Sequence, residues 1–469
     1  MKDQIRLKVA GYVFTLIFVF TLMSFININT DTANADTPLK PANPGVTITE
    51  AVEPVKSTIN NYLSRWASVP GLQTIVNANG NISVLDVENA IVYEYSAKAE
   101  FVKTQRFKKE LDKAGAFTKD DDENYYIFYA KDVEEGAFNE INMALVKYSP
   151  SGQKLKEFRL EAKADDSFNG VKQPFNSGTC RLEISDNMIA AYFARGMFKS
   201  IDGRSHQASY GFILDINTFE RLTGKSSSRI PYVSHSFNQF VLPTKDGFVF
   251  VDHGDGSPRA FAFEKVTMRQ SGDKNKPMLT FDKKNITSFF FKSGKLDPVG
   301  DNETYAEMGQ LAKTPGGYIF AGAYEKNTVA RERDNDSRNL FLLIMNEDLT
   351  NPRGLPILAS PVWITNYTDK ITESVVSPKI VQIDRAKYLL MWEVYNNGYR
   401  IRKINTSNAI TKIYMAIVND KGDVVTPARE IPGAQLNGYD ALRYNPKTGL
   451  VHWATSKDGN KIQLYSLNP

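Results

Sequence analysis

A single cysteine, Cys180, stands in 469 residues, so an intramolecular disulfide and a cysteine-based zinc cluster are both excluded. Stability has to come from packing, and a lone cysteine of this kind reads as a small buried hydrophobe rather than a nucleophile. An excess of one charge is also missing. Lys plus Arg number 57 against 53 Asp plus Glu, a net +4, which gives no electrostatic reason to expect nucleic acid or an anionic membrane as partner. The chain has no Gly-x-Ser-x-Gly elbow, phosphate-binding Gly-Lys-Ser/Thr loop, His-Glu-x-x-His pair or Rossmann glycine pattern, and the most recognisable hydrolase, nucleotide and metalloprotease readings go with them. A paired-carboxylate glycosidase stays open, because its two acids keep no fixed spacing.

Long apolar runs are scarce as well, with one exception at the start. Lys2, Arg6 and Lys8 precede an almost uninterrupted apolar stretch over 9–26, and Ala33-Asn34-Ala35 follows. That order predicts a signal peptide over 1–35 and an exported protein, secreted or held at the cell surface. The run exceeds the roughly 7–15 residues of a standard signal core, so an N-terminal membrane anchor is the alternative. With the leader cleaved, the mature chain carries no membrane span. Residues 36–54 hold four prolines and read as an extended linker. Helical spacing of Val55, Ile59, Tyr62, Leu63 and Trp66 predicts one short helix at the head of the domain over 55–469.

Beyond that point the period is that of strands. Runs at 125–130, 188–194, 248–252, 318–324, 388–395 and 450–455 each have a β-rich partner downstream, at 143–148, 210–216, 260–266, 340–345, 414–418 and 462–467. These are antiparallel hairpins with turn residues at their ends. They recur about every 60–70 residues, the size of a four-stranded propeller blade with generous loops. Six units are visible, and 81–95 offers a seventh or a closing strand. The expected fold is all-β, a β-propeller of six or seven blades; paired β-sandwiches are the alternative. Radial repetition favours the propeller because it hides the edges of many short strands. Trp363, Trp392 and Trp453 fall in or beside these strands and read as core between blades.

Candidate site residues gather between 195 and 259. Three of the four histidines, His206, His235 and His253, lie in 48 residues; with Asp252 or Asp255 they could serve as base and acid in an extracellular hydrolase or lyase. Asp252, His253 and Asp255 sit in an oxygen-rich, glycine-containing stretch that reads as a turn and would also suit calcium or zinc. Residues 195–209 read as a long polar insertion between two strands, where recognition commonly resides. Arg195, Arg204, His206, Gln207, His235, Asn238, Gln239 and Arg259 are the ligand-contact candidates if they converge.

The blocks Phe175-Asn176-Ser177-Gly178-Thr179-Cys180-Arg181, Asp202-Gly203, His206-Gln207-Ala208, Ser234-His235-Ser236-Phe237-Asn238-Gln239-Phe240 and Asp252-His253-Gly254-Asp255 resemble stretches of large, uncharacterised, exported surface proteins of Gram-positive bacteria. The resemblance covers about 90 residues. It implies an exported propeller-like region and brings no activity. The leading expectation is a secreted or cell-surface binding module for an extracellular carbohydrate or surface protein, with no nucleic-acid partner. A hydrolase or lyase using the His/Asp cluster and a purely structural surface protein are the alternatives.

Overall fold

The computed structural model describes residues 39–43, 45–50, 67–164, 169–223, 233–257, 259–267, 287–290, 306–326, 337–352, 361–368, 373–395, 410–457 and 461–469. The chain divides into units 1–35 and 36–469; the first unit, and the helix expected at 55–66, fall outside the described residues. Among the described residues no helix is long and apolar enough to cross a membrane.

Every described element is a strand. Two come first, β1 (Leu39–Asn43) and β2 (Val46–Glu50). The first blade is β3 (Leu72–Val76), β4 (Ile82–Asp86), β5 (Ile91–Tyr95) and β6 (Phe101–Arg106). The second is β7 (Lys113–Lys119), β8 (Tyr125–Ala130), β9 (Ile141–Tyr148) and β10 (Lys154–Glu161). A short β11 (Gln173–Pro174) leads into the third, built of β12 (Cys180–Ser185), β13 (Met188–Lys199) and β14 (Ser205–Asp215). Its outer edge is a bridge between Leu214 and Arg221. The fourth is β15 (Ser234–Thr244), β16 (Gly247–Ser257), β17 (Arg259–Thr267) and β18 (Thr287–Phe290). The fifth is β19 (Glu307–Thr314), β20 (Gly317–Glu325), β21 (Arg338–Asn346) and β22 (Val362–Trp363). The sixth is β23 (Ser374–Asp384), β24 (Lys387–Tyr395), β25 (Ile410–Asn419) and β26 (Val424–Glu430). The seventh combines β27 (Arg443–Asn445), β28 (Leu450–Lys457) and β29 (Lys461–Leu467).

All pairings are antiparallel, and blades one to six run in chain order from an inner to an outer strand. The inner strands touch in the order β3, β7, β12, β15, β19, β23, β27 and back to β3. That closed circuit is a seven-bladed β-propeller, and it excludes a pair of sandwiches. The seventh blade has only three strands from the C-terminal end of the chain, and β2 supplies its fourth, with Thr47 opposite Ser466 and Thr49 opposite Leu464. The segment expected as a Pro-rich linker over 36–54 therefore enters the sheet, with 46–50 paired to the C-terminal strand and 39–43 paired to 46–50 outside it. Its prolines fall outside β2, and Val-Thr-Ile-Thr has the β-branched content of a strand.

The second and third strands of each blade are apolar on both faces, because each sheet is covered by its two neighbours. Phe128, Phe193 and Phe212 interlock between blades two and three with centroids 5.3–5.4 Å apart, and Phe261 meets Phe320 between blades four and five at 5.2 Å. Trp392 and Trp453 are buried, the latter stacked on Tyr465 at 5.0 Å with its indole N–H given to Gln435. Trp363 is half-buried against Phe341 at 5.5 Å. All three tryptophans are packing residues. Cys180 is buried and its thiol is pushed well up by desolvation, as a small core hydrophobe would be.

Candidate functional site

Two parts of the ring place polar chemistry together. The first is the rim where blades three and four meet. β13 and β14 run past the sheet as a long hairpin closed by a turn at 200–204, so the stretch read as a polar insertion is regular strand. Its flank is tied to the start of β15: Ala208 faces Ser234, Ser209 N–H donates to Val233 O at 3.0 Å, and Gln207 Nε2 donates to Ser236 O and to Ser177 O. This tie brings His206 and His235 together, edge to face, with ring centroids 6.0 Å apart. Asp202 Oδ2 lies 2.9 Å from His206 Nε2, and Ser234 Oγ lies 2.9 Å from His235 Nδ1. His235 occupies a bulge in β15 with φ of +53°, a conformation that costs a non-glycine residue on the order of 1 kcal/mol or more. Burial, and then the neighbouring His206, lower the His235 pKa.

The other residues expected in this site are used elsewhere. Asp252 and His253 are consecutive on β16, in strand rather than turn, and therefore point to opposite faces of the blade. Asp252 turns toward blade three and accepts from Tyr192 Oη at 2.6 Å and Ser236 Oγ at 2.8 Å. Desolvation raises its pKa to about 7 despite those bonds. His253 faces the other way, between Phe237 and Phe261, and burial lowers its pKa to about 3. The two cannot share a metal ion or a substrate. Arg195 is buried, donates to Gly170 O at 2.6 Å and stacks on Tyr210. Gln239 is buried with Oε1 taking Thr179 N–H at 2.8 Å, and Asn238 Oδ1 accepts from Thr179 Oγ1 at 3.2 Å. These three hold blades together and are unable to reach a ligand. Arg204 is exposed in the hairpin turn. The side chains of Asp255 and Arg259 lie outside the described residues. Among the described residues no three His, Cys, Asp or Glu side chains converge as a metal-ligand set.

The second part is the propeller axis. Residues 431–442, between β26 and β27, leave the ring wall and cross its centre. Leu436 N–H bonds Glu393 Oε1 at 2.9 Å, and Asn437 Nδ2 bonds Leu72 O at 2.9 Å and Ala454 O at 3.0 Å. Arg181 donates to Tyr439 O, and Gln310 Oε1 takes Leu442 N–H at 3.2 Å. Contacts to blades one, three, five, six and seven make this segment a plug. Ionisable groups clamp it: Lys379 Nζ donates to Gly438 O at 2.7 Å and Asp440 O at 2.6 Å, and Asp440 Oδ2 takes Thr74 N–H at 2.8 Å. Burial lowers Lys379 to about 8 and raises Glu393 to about 7.

Beyond the plug the axis is open. A cavity of about 1000 Å³ is walled by the C-terminal halves of all seven inner strands, and the end of the plug, Ala441-Leu442, lines its inner limit. Its rim carries the β7–β8 turn, where hydrogen bonds from Asn124, Lys147 and Tyr126 outweigh burial and hold the Asp120 carboxyl below its usual range. The charged groups in the wall are four cations, Lys119, Lys147, Lys313 and Arg443, against five acids, Asp120, Asp121, Asp122, Glu183 and Asp186. Several are already paired: Lys147 with Asp120 at 3.1 Å, Arg443 with Glu183 at 2.9 Å, and Lys119 with Glu94 at 3.4 Å and Glu123 at 2.5 Å. Sequence reasoning missed this site, since its residues come from short strand ends spread over the whole chain.

No family model matches the chain, and no curated protein matches it in sequence. Among solved structures, virginiamycin B lyase from Staphylococcus aureus is 10% identical with a TM-score of 0.39, over 90% of this chain and 99% of that one. Drosophila Plexin A in complex with Semaphorin 1b gives 7% identity and a TM-score of 0.44, over 88% and 86%. The fold assignment rests on the strand order and the closed circuit of inner strands: an all-β, seven-bladed propeller closed by an N-terminal strand and plugged on its axis.

Proposed function

We propose that the protein is a binding module of the cell exterior, taking a polar, near-neutral molecule such as an oligosaccharide into the axial cavity. The observation that supports this reading is the cavity itself: large enough for several sugar rings, blind at the plug, and lined by apolar side chains such as Ile184, Leu311 and Val381 interleaved with polar groups whose charges nearly cancel. A strongly anionic or cationic ligand would meet as much repulsion as attraction there. Hydroxyl-rich ligands suit a wall of paired donors and acceptors. Export rests on the leader over 1–35. Binding is favoured over hydrolysis or lyase chemistry because Asp252 and His253, two of the five residues of the expected catalytic cluster, are committed to opposite faces of one blade.

Calorimetric titration with a panel of neutral oligosaccharides tests this. Gln382 lines the cavity and Cys180 is buried, so a Gln382→Cys variant takes a bulky maleimide at one site. Saturable binding to the unlabelled protein, lost on labelling, is expected. Absence of binding across the panel, or binding indifferent to the label, would overturn the reading.

A further inference from the structure

At the opposite end of the ring from the cavity, the His206 and His235 pair has the features of a metal-binding site. We propose that these two imidazoles bind a borderline divalent cation, copper(II) or zinc, linking the tip of blade three to the inner strand of blade four. The argument stands on four observations. First, two rings on one ion have centroids roughly 5–6 Å apart when each metal–nitrogen bond is about 2.0–2.1 Å, and these rings lie at 6.0 Å. Second, each ring has one nitrogen fixed by a partner that would orient it: Asp202 Oδ2 at 2.9 Å from His206 Nε2 and Ser234 Oγ at 2.9 Å from His235 Nδ1. Carboxylate and hydroxyl partners of this kind select the tautomer and raise the basicity of the other nitrogen. His206 Nδ1 and His235 Nε2 are then the ligating atoms.

Third, the backbone at His235 is held at φ +53°, in a bulge of β15. Strain of this sort is tolerated where surrounding structure over-determines it, and the tie from Gln207 to Ser236 O supplies that constraint. Fourth, the pair is reachable: His206 is 31% exposed and His235 half-buried, so water completes the coordination. Two nitrogen donors favour copper(II) over zinc and give no hold on calcium or magnesium. This site differs from the one expected at Asp252, His253 and Asp255, and it is independent of the ligand in the axial cavity.

The test is calorimetric titration of the full chain with copper(II), zinc and calcium chlorides, with electron paramagnetic resonance of the copper form. One-to-one binding of copper, weaker binding of zinc, none of calcium and hyperfine coupling from two nitrogens are expected. His206→Ala and His235→Asn should each lower copper affinity at least tenfold; asparagine tolerates the left-handed backbone, so the second variant removes the ligand and keeps the fold. Asp202→Asn should weaken binding about tenfold. An unchanged thermal melt without metal confirms that each variant is folded. No saturable copper binding, or copper retained by the His206→Ala/His235→Asn double variant, overturns the proposal.

Discussion

The buried carboxyl of Asp252 makes stability depend on pH in a direction opposite to that of an ordinary salt-bridged acid. Its pKa stands at about 7 in the fold and near 3.8 once exposed, so the folded state holds a proton that the unfolded chain releases. A carboxyl raised in the fold contributes stability that is fully present below the unfolded pKa and is lost as pH rises toward the folded one. The difference corresponds to roughly 4 kcal/mol between pH 4 and pH 8. His253 and His452, lowered by burial to about 3 and about 4, act the other way. Histidines that lose their proton on folding add stability as pH rises from the folded value of about 3 to 4 to the unfolded 6.5. The raw pH profile of the wild type therefore mixes opposing slopes. Asp252→Asn removes one of them: its amide oxygen still accepts from Tyr192 or Ser236, and it carries no titrating group. Guanidinium unfolding of wild type and variant at pH 4, 5, 6, 7 and 8 isolates Asp252 by subtraction, since the histidine contributions cancel. The variant should gain on the wild type progressively from about pH 4, by about 2–4 kcal/mol at pH 8. Parallel profiles would show that Asp252 is ionised in the fold and that burial between blades three and four does not control it.

Two further outcomes follow from the closure of the ring and its plug. Arg181→Met removes the donor to Gln239 O and Tyr439 O and takes from Asp440 one of its two neighbouring guanidinium groups, the other being Arg443, so a loss of about 3–5 kcal/mol is expected in denaturant unfolding; a change below 1 kcal/mol would show that the plug is held without Arg181. Deleting residues 36–50 removes β2 and exposes the edge of β29. The shortened chain should melt at least 10 °C lower and self-associate in sedimentation, because an unpaired strand edge is a template for another chain; a monomer with an unchanged melt would refute closure by β2.

Much of the blade pattern is legible in the sequence because it resides in strands buried on both faces. The six paired runs are the second and third strands of blades two to seven, and 81–95 holds those of blade one. The first and fourth strands escape the same reading. β10, Lys-Leu-Lys-Glu-Phe-Arg-Leu-Glu, is an exposed outer edge, and inner strands such as β23 carry buried polar residues toward the axis. Neither shows the apolar alternation that marks a strand. Val-Thr-Ile-Thr at 46–49 is short and flanked by prolines, and only pairing with residues more than 400 positions away makes it a strand.

The sequence by itself determined an all-β array of about seven antiparallel units stabilised without disulfides, since composition and period-two patterning act locally. The tertiary structure decided which polar residues remain available to a ligand. Asp252 and His253 are adjacent in the chain and separated by a sheet, because alternate residues of a strand face opposite sides. His206 and His235 meet because a hairpin of one blade is tied to the inner strand of the next, and the axial cavity exists because seven distant strand ends and one plug converge on a common centre. Those relations depend on ring closure, which no local pattern encodes.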